Sequence, residues 1–367
     1  CARFATPPTL AAALEVTLGS ATAKVTSRKE AVRLLALHRA PGALERLLGL
    51  AAQDGLNRDV RIAIGRSIRT FLDDPRPWDV LDALAAASPD ETTSILETAP
   101  ATTAERHRGR FGRLIVRATS HPDPRTRTSA FTVLGAWAPW LPDAADIAAD
   151  HVADLGSGGS WPAASRSLVA IFADGHAGAV TARLIGTLAS LEEPAGTDAA
   201  QDRDRPARQR LTGLVSQLSA LDAATRRHLP EDLRTCVDAL ASDPTLWGLE
   251  IPLMLAAADP ADLRDPLLAL ARRLEGRIST AGWATDALAA RLRRDTPLWE
   301  PEDLSDTADT LLAEGGQAAT LLCVTLITAA GPRSGWSSSW RDRLRVIRHS
   351  PDPDLAAAAL ATFTAQE

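Results

Sequence analysis

A short phrase recurs about every thirty-five residues along the chain, and no other feature narrows its possible folds so far. The clearest copy is HPDPRTRTSAFTVLGAW, from His121 to Trp137. A worn copy, HSPDPDLAAAALATF, runs from His349 to Phe363, and others begin near Asn57, Ser88, Ser242 and Gly316. A fixed period of this length is the mark of a helical solenoid, in which one repeat cannot bury its own apolar face and stacking supplies the core. Such a chain can reach 367 residues without dividing into separate globular cores, because each repeat touches only its neighbours. The expected fold is all-α: a right-handed α-solenoid of about ten antiparallel helix pairs with no sheet, continuous over 1–367.

Helix starts are legible. Asp123 before Pro124 sets a capping oxygen beside a residue that needs no backbone donor in the first turn. Asp352 with Pro353 and Asp243 with Pro244 repeat the device, and Ser27 with Glu30 has the spacing of a capping box. These signals predict second helices near 27–38, 57–72, 89–99, 123–138, 160–174, 205–219, 244–258, 279–293, 316–330 and 352–365. First helices are expected between them, near 8–19, 41–52, 75–87, 103–119, 142–154, 176–191, 229–241, 260–274, 300–314 and 336–348. Residues 192–207, EEPAGTDAAQDRDRPA, are polar and without apolar periodicity, so they read as a disordered surface loop inserted into the array. GSGGS at 156–160 reads as a flexible turn.

Within second helices the apolar residues recur at helical spacing: Ala130, Val133, Leu134 and Trp137 in one copy, Val60, Ile64 and Ile68 in another. The pattern formed by Asp123, Pro124, Arg127, Ala130, Leu134 and Gly135 resembles the HEAT repeat family, and Val60 with Arg61 stands at that family's valine–arginine positions. The resemblance implies that Asp123, Arg127 and Arg61 help to stitch adjacent repeats together. The last copy departs from it, with Ala356 in place of the arginine. The likeness spans most of the chain, is specific in three or four copies, and implies a fold rather than an activity.

Composition narrows the function classes. The chain is 45% hydrophobic but only 4% aromatic, has no tyrosine, and carries a net charge of −6, which disfavours a wholly basic nucleic-acid binder. Cys1, Cys236 and Cys323 are scattered without a CxxC, as suits a reducing, cytoplasmic setting. No apolar run reaches the length of about 18 residues that a membrane helix needs, so no membrane role is expected. Cys1 admits two readings, the lipidated first residue of a lipoprotein or the cut end of a longer protein. A helical pattern begins almost at once after it, with no tether, so a fragment is expected.

No pattern for chemistry emerges. The seven histidines form no HExxH, HxH or Cys-x-x-His arrangement, and His121 and His349 precede equivalent turns, so neither a metal nor a general base is expected. GSGGS lacks the spacing of a nucleophile elbow, no phosphate-binding GxxxxGK[ST] loop is present, and carboxylate pairs such as Asp73–Asp74 and Glu192–Glu193 fall at loops or helix ends. The chain is therefore expected to be non-catalytic and without a cofactor.

Charge is the remaining signal. RHRGRFGRLIVRATSHPDPRTR places Arg106, Arg108, Arg110, Arg113, Arg117, Arg125 and Arg127 around a single acid, Asp123. Guanidinium forks suit phosphates and carboxylates, so with Phe111 and Trp137 nearby this stretch is a candidate for nucleic acid or an acidic peptide. The plainer reading is a solvated face whose arginines find partners on acidic neighbouring helices. WRDRLRVIR at 340–348 is similarly basic. Second helices of HEAT arrays usually line the concave face. Arg58, Arg61, Arg66, Arg69, Arg125, Arg127, Arg166, Arg208 and Arg210 fall on them, whereas first helices carry Asp79, Asp82, Asp143, Asp146 and Asp150. A positive inner groove and a more acidic outer surface follow for the N-terminal half. Among the nine tryptophans, Trp137, Trp140, Trp161, Trp247 and Trp283 read as packing between repeats. Trp336 and Trp340, four apart on one expected helix face, read either as a hot-spot pair for a partner or as a cover over the end of the array.

The function expected from these features is that of a HEAT-repeat scaffold binding a protein partner through its concave surface. The alternative is a nucleic-acid-binding solenoid, including a glycosylase of DNA repair built on such repeats, that uses the arginines of 106–127. A third possibility, the family's lyase-like members that handle bilins, has no residue pattern in its favour.

Overall fold

A computed structural model describes residues 7–20, 22–191, 206–241, 243–259 and 262–364. Among them the secondary structure is helical throughout, without a strand. The chain divides into two compact units, Cys1–Ala170 and Ile171–Glu367.

The first unit contains α1 (Pro7–Gly19), α2 (Val25–Leu37), α3 (Ala43–Ala51), α4 (Arg58–Ile68), α5 (Arg76–Ala85), α6 (Pro89–Leu96), α7 (Glu105–Ala118), α8 (Pro124–Trp137) and α9 (Ala144–Ala153). The division falls within the next helix, α10 (Trp161–Ala173). Helices pack on their chain neighbours, and several also pack on the helix two further along. Thus α2 meets α4, α4 meets α6 and α6 meets α8, while α3 meets α5 and α5 meets α7. The apolar stripes explain the order: Val60, Ile64 and Ile68 on α4 are completely buried, as are Ala130, Leu134 and Trp137 on α8. Full burial of one such large side chain contributes about 1.5–3 kcal/mol, so stacking rather than helix propensity holds the unit together.

The second unit contains α11 (Gly178–Ser190), α12 (Pro206–Ser219), α13 (Ala223–His228), α14 (Pro230–Asp238), α15 (Trp247–Ala257), α16 (Arg264–Leu274), α17 (Ile278–Arg294), α18 (Ser305–Glu314), α19 (Gly316–Arg333), α20 (Ser338–Arg348) and α21 (Pro353–Leu360). Packing again skips one element, with α15 on α17, α17 on α19, α19 on α21 and α16 on α18. No helix among the described residues is long and apolar enough to cross a membrane.

All twenty helices expected from the sequence have counterparts, and the capping signals explain most of the starts. Asp123 accepts the Thr126 N–H at 2.8 Å, Asp352 accepts the Asp354 N–H at 2.9 Å, and Asp243 accepts the Thr245 N–H at 2.8 Å. Asp243 opens a 3-10 turn (Pro244–Leu246) that leads into α15. Ser27 and Glu30 form no capping box, because α2 starts two residues earlier and Glu30 turns to Arg33 at 2.9 Å. Capping of this spacing occurs instead at α6, where the Glu91 carboxylate accepts from both the Ser88 N–H and the Ser88 hydroxyl. The short α13 has no counterpart in the periodic reading; Asp222 caps it through the Thr225 N–H at 3.0 Å. Of the segment expected to be a loop, 192–205 lies outside the described residues, and Pro206 and Ala207 already belong to α12. Cys1 and Ser242 also lie outside them.

Candidate partner-binding site

The arginines of 106–127 are matched, one after another, by groups of the chain itself. Arg106 on α7 forms a fork with Asp73, its Nε at 2.9 Å and Nη2 at 2.7 Å from Oδ1. Arg113 reaches Asp143 at 2.6 Å and Arg117 reaches Asp82 on α5 at 3.5 Å. Arg108 donates to the Pro100 and Thr103 carbonyls and lies 4.7 Å over the Trp140 ring. Arg110 lies 4.5 Å over Trp78. Arg127 donates to the carbonyls of His121 and Pro122 at 2.8 and 2.9 Å. Six of these seven guanidiniums are thus engaged by hydrogen bonds, ion pairs or rings, while Arg125 acts on Asp123 through its charge.

The second helices repeat the arrangement. Arg58, Arg61 and Arg66 on α4 pair with Asp90, Glu91 and Glu97, on or next to α6, and Lys29 on α2 reaches Asp59 on α4 at 3.5 Å. On first helices Arg46 pairs with Glu15, and Arg76 with Glu45 at 3.2 Å. The partners in these cross-helix pairs stand 30 to 35 residues apart, one repeat period. Most are exposed, where an ion pair contributes at most about 1 kcal/mol; their value lies in fixing register between successive helices. The positive groove expected on second helices is neutralised along α4 by these carboxylates.

The expected stitching roles are distributed differently from the family pattern. Arg61 on α4 lies 3.4 Å from the buried carboxylate of Glu91 on α6. Asp123 and Arg127 instead make bonds within their own turn and helix cap. The link across repeats comes from His121, whose Nε2 lies 2.9 Å from the Ala87 carbonyl while Nδ1 accepts the Asp123 N–H at 3.0 Å. Those two bonds require the tautomer with its proton on Nε2. His349 is not its equivalent: it is exposed and bonds the Arg345 carbonyl, and Ser350 accepts the Asp352 N–H in its place. The extra residue in HSPD shifts the phase by one.

The aromatic candidates divide between core and surface. Phe111 and Trp137 are fully buried and stack on each other at 5.1 Å, so neither offers a face to a base. Trp336 and Trp340 are core as well, 5% and 2% exposed. The expectation that they share one helix face is corrected: Trp336 precedes α20 at φ 55°, with its indole against Gly331, while Trp340 is on the helix beneath Arg343. A partner therefore cannot reach either as a hot spot. Trp283, expected to be packing, is 61% exposed on α17, and no sequence signal distinguishes it from its buried relatives.

Arg106 leads to a cleft of about 600 Å³ in the first unit. Its cationic lining is Arg39, Arg66, Arg69 and Arg106 with His107, against the carboxylates of Asp73 and Glu97. Arg106 and His107 hold the Asp73 carboxyl below its usual range. Burial pushes the Arg69 guanidinium down, with Arg66 adding repulsion, and Arg69 bonds the Thr98 hydroxyl rather than a carboxylate. The Arg39 guanidinium donates to the Thr70 carbonyl at 3.3 Å. The sequence names Arg69 only among the arginines of the expected groove and does not single out Arg39, because Arg39, Arg69 and Arg106 follow one another at about one repeat each and form no local cluster.

A second charged site, missed by sequence reasoning, is buried in the second unit. Nη2 of Arg226 donates to both oxygens of Asp295 at 2.7 and 2.6 Å, and Arg291 pairs with the same carboxylate. All three side chains are nearly inaccessible. Burial, then the neighbouring Arg226, pushes the Arg291 guanidinium down to about 10. Cys236 and Cys323 are buried, and burial pushes both thiols up to about 12. Among the described residues, no group of histidines, cysteines and carboxylates is arranged to hold a metal ion.

No family model and no curated protein matches the chain. Among solved structures it is similar to the crystal structure of an engineered protein, 14% identical over 96% of this chain and 98% of that one, at a TM-score of 0.35. A likeness that weak carries no argument about fold or function.

Proposed function

We propose that the chain is a non-catalytic interaction protein, an array of HEAT-type helix pairs that binds a protein partner along the exposed surface of its second helices. One observation carries the reading: helices pack on their second neighbours, and cross-helix ion pairs join residues one repeat apart. That is how a stack of repeats is held in register, and such stacks present extended surfaces rather than one enclosed pocket. The arginines of 106–127 act in this reading chiefly as register pairs, and the binding chemistry falls to cations that the register leaves over.

The test is retention of partners from a source lysate by the full chain, with and without nuclease, followed by a salt titration. A protein partner that survives nuclease is the expected result. Retention abolished by nuclease, and weakened steeply by salt through counterion release, would overturn the reading in favour of nucleic acid.

A further inference from the structure

The cleft of the first unit contains an arginine that the backbone does not want. Arg39 follows α2 at φ 44°, in the left-handed region where only glycine is at ease. Its N–H bonds the Ala36 carbonyl and the N–H of Ala40 bonds the Leu35 carbonyl, the paired bonds of a helix C-terminal motif whose left-handed position is usually glycine. The chain uses glycine where α10 ends in the same way: Gly175, at φ 81°, bonds Phe172, and His176 bonds Ile171. An arginine at this position gains nothing for the turn, so its side chain is the reason to ask what it does. That side chain lines the cleft, exposed, and among the described residues its hydrogen-bond partner is one backbone carbonyl.

We propose that this cleft holds an acidic segment of a protein partner, with side-chain carboxylates bound by Arg39 and Arg69 between the rim pairs Arg66–Glu97 and Arg106–Asp73. The proposal rests on the reading of the chain as an interaction protein and names the chemistry of its partner. Four guanidiniums face two carboxylates across the cleft, a surplus of two positive charges. Both surplus cations retain N–H donors, since a guanidinium has five and among the described residues each is bonded to neutral oxygens. Carboxylate is the chemistry the rim already accepts, Arg106 gripping Asp73 through two nitrogens. The cations also step along the array, from Arg39 after α2 to Arg69 after α4 and Arg106 at the start of α7. A volume of about 600 Å³ spread over successive repeats suits an extended segment better than a single small anion.

The experiment is fluorescence polarisation of labelled octaglutamate with the full chain, its Arg39→Gly and Arg69→Gln variants, and inorganic phosphate and duplex DNA as competitors. Arg39→Gly relieves the backbone, so its Tm is expected to be unchanged or higher, which removes misfolding as an explanation. Octaglutamate is expected to bind in a salt-sensitive manner and to lose about tenfold in affinity in each variant, the scale of a lost charge-assisted contact. Equal binding by parent and Arg39→Gly would overturn the proposal, as would no binding at all. Displacement by millimolar phosphate would overturn it in favour of a small oxyanion, and preferential, Arg39-dependent binding of DNA in favour of nucleic acid. A nuclease-resistant partner retained equally by parent and Arg39→Gly would leave the interaction protein standing while removing this cleft. Arg39-dependent octaglutamate binding without any nuclease-resistant partner would do the reverse.

Discussion

At the scale of single residues, the most consequential group is the Asp295 carboxylate between two buried guanidiniums. Removing it strands Arg226 and Arg291 away from water, whereas apolar replacement of a whole buried ion cluster is often tolerated. Asp295→Ala is expected to lower the unfolding free energy in urea by about 3–5 kcal/mol. Less than about 1 kcal/mol would mean that water or a rearranged partner compensates the arginines. Thiol chemistry gives a second residue-scale prediction. With their pKa pushed up to about 12 by burial, Cys236 and Cys323 hold almost no thiolate at neutral pH, and the thiolate is the reacting species. Peptide mapping after iodoacetamide treatment should find both unmodified in the native protein and both modified after denaturation. Rapid native labelling of Cys323 would contradict its placement within the core of the second unit.

At the scale of the element, the helices owe their starts to side chains that the sequence displays openly. Asp123→Ala should cost about 1 kcal/mol by leaving the Thr126 N–H without its acceptor, and Asp123→Asn should cost much less, because an asparagine oxygen can make the same bond. Equal losses in the two variants, read from denaturant midpoints, would assign the effect of Asp123 to its charge. The phase of the turn was harder to read. His121 and His349 look alike in sequence, yet one inserted residue gives the accepting role to Ser350. Ser27 and Glu30 likewise have the spacing of a cap but lie inside α2, where Glu30 is better served by Arg33. Spacing alone does not say which of two satisfied arrangements a helix end adopts.

At the scale of the whole molecule, carboxylates paired or capped in the folded state link stability to pH. Hydrogen bonds from Arg343 hold Asp309 below its usual range, backbone and hydroxyl bonds from Thr126 do so for Asp123, and Gln317 does so for Asp352. A carboxylate depressed by folding binds fewer protons folded than unfolded near its ordinary pKa. Its contribution is therefore complete above that value and disappears as pH falls through the depressed one. Tm is expected to be level between about pH 5 and 7 and to fall below about pH 4, and Asp309→Asn should make that fall shallower. A decline beginning near pH 6 would point to histidine instead and would overturn this assignment.

The sequence by itself determined the helices. Period, apolar spacing and capping residues located twenty of them, because each of these signals acts within a few residues or one repeat. Only the tertiary structure decided what the side chains between them do. Arg106 and Arg113 look like a basic patch in sequence, yet their charges are answered by Asp73 and Asp143, about a repeat away. Trp336 and Trp340 look like a surface pair and are core, while Trp283 looks like core and is exposed. Arg39 and Arg69, thirty residues apart in sequence, line one cleft, and Asp295 joins Arg226 across 69 residues. The physical reason is one of range. Helix formation is settled by local hydrogen bonds and periodic burial, but pairing, exposure and surplus charge depend on which distant groups the stack brings together.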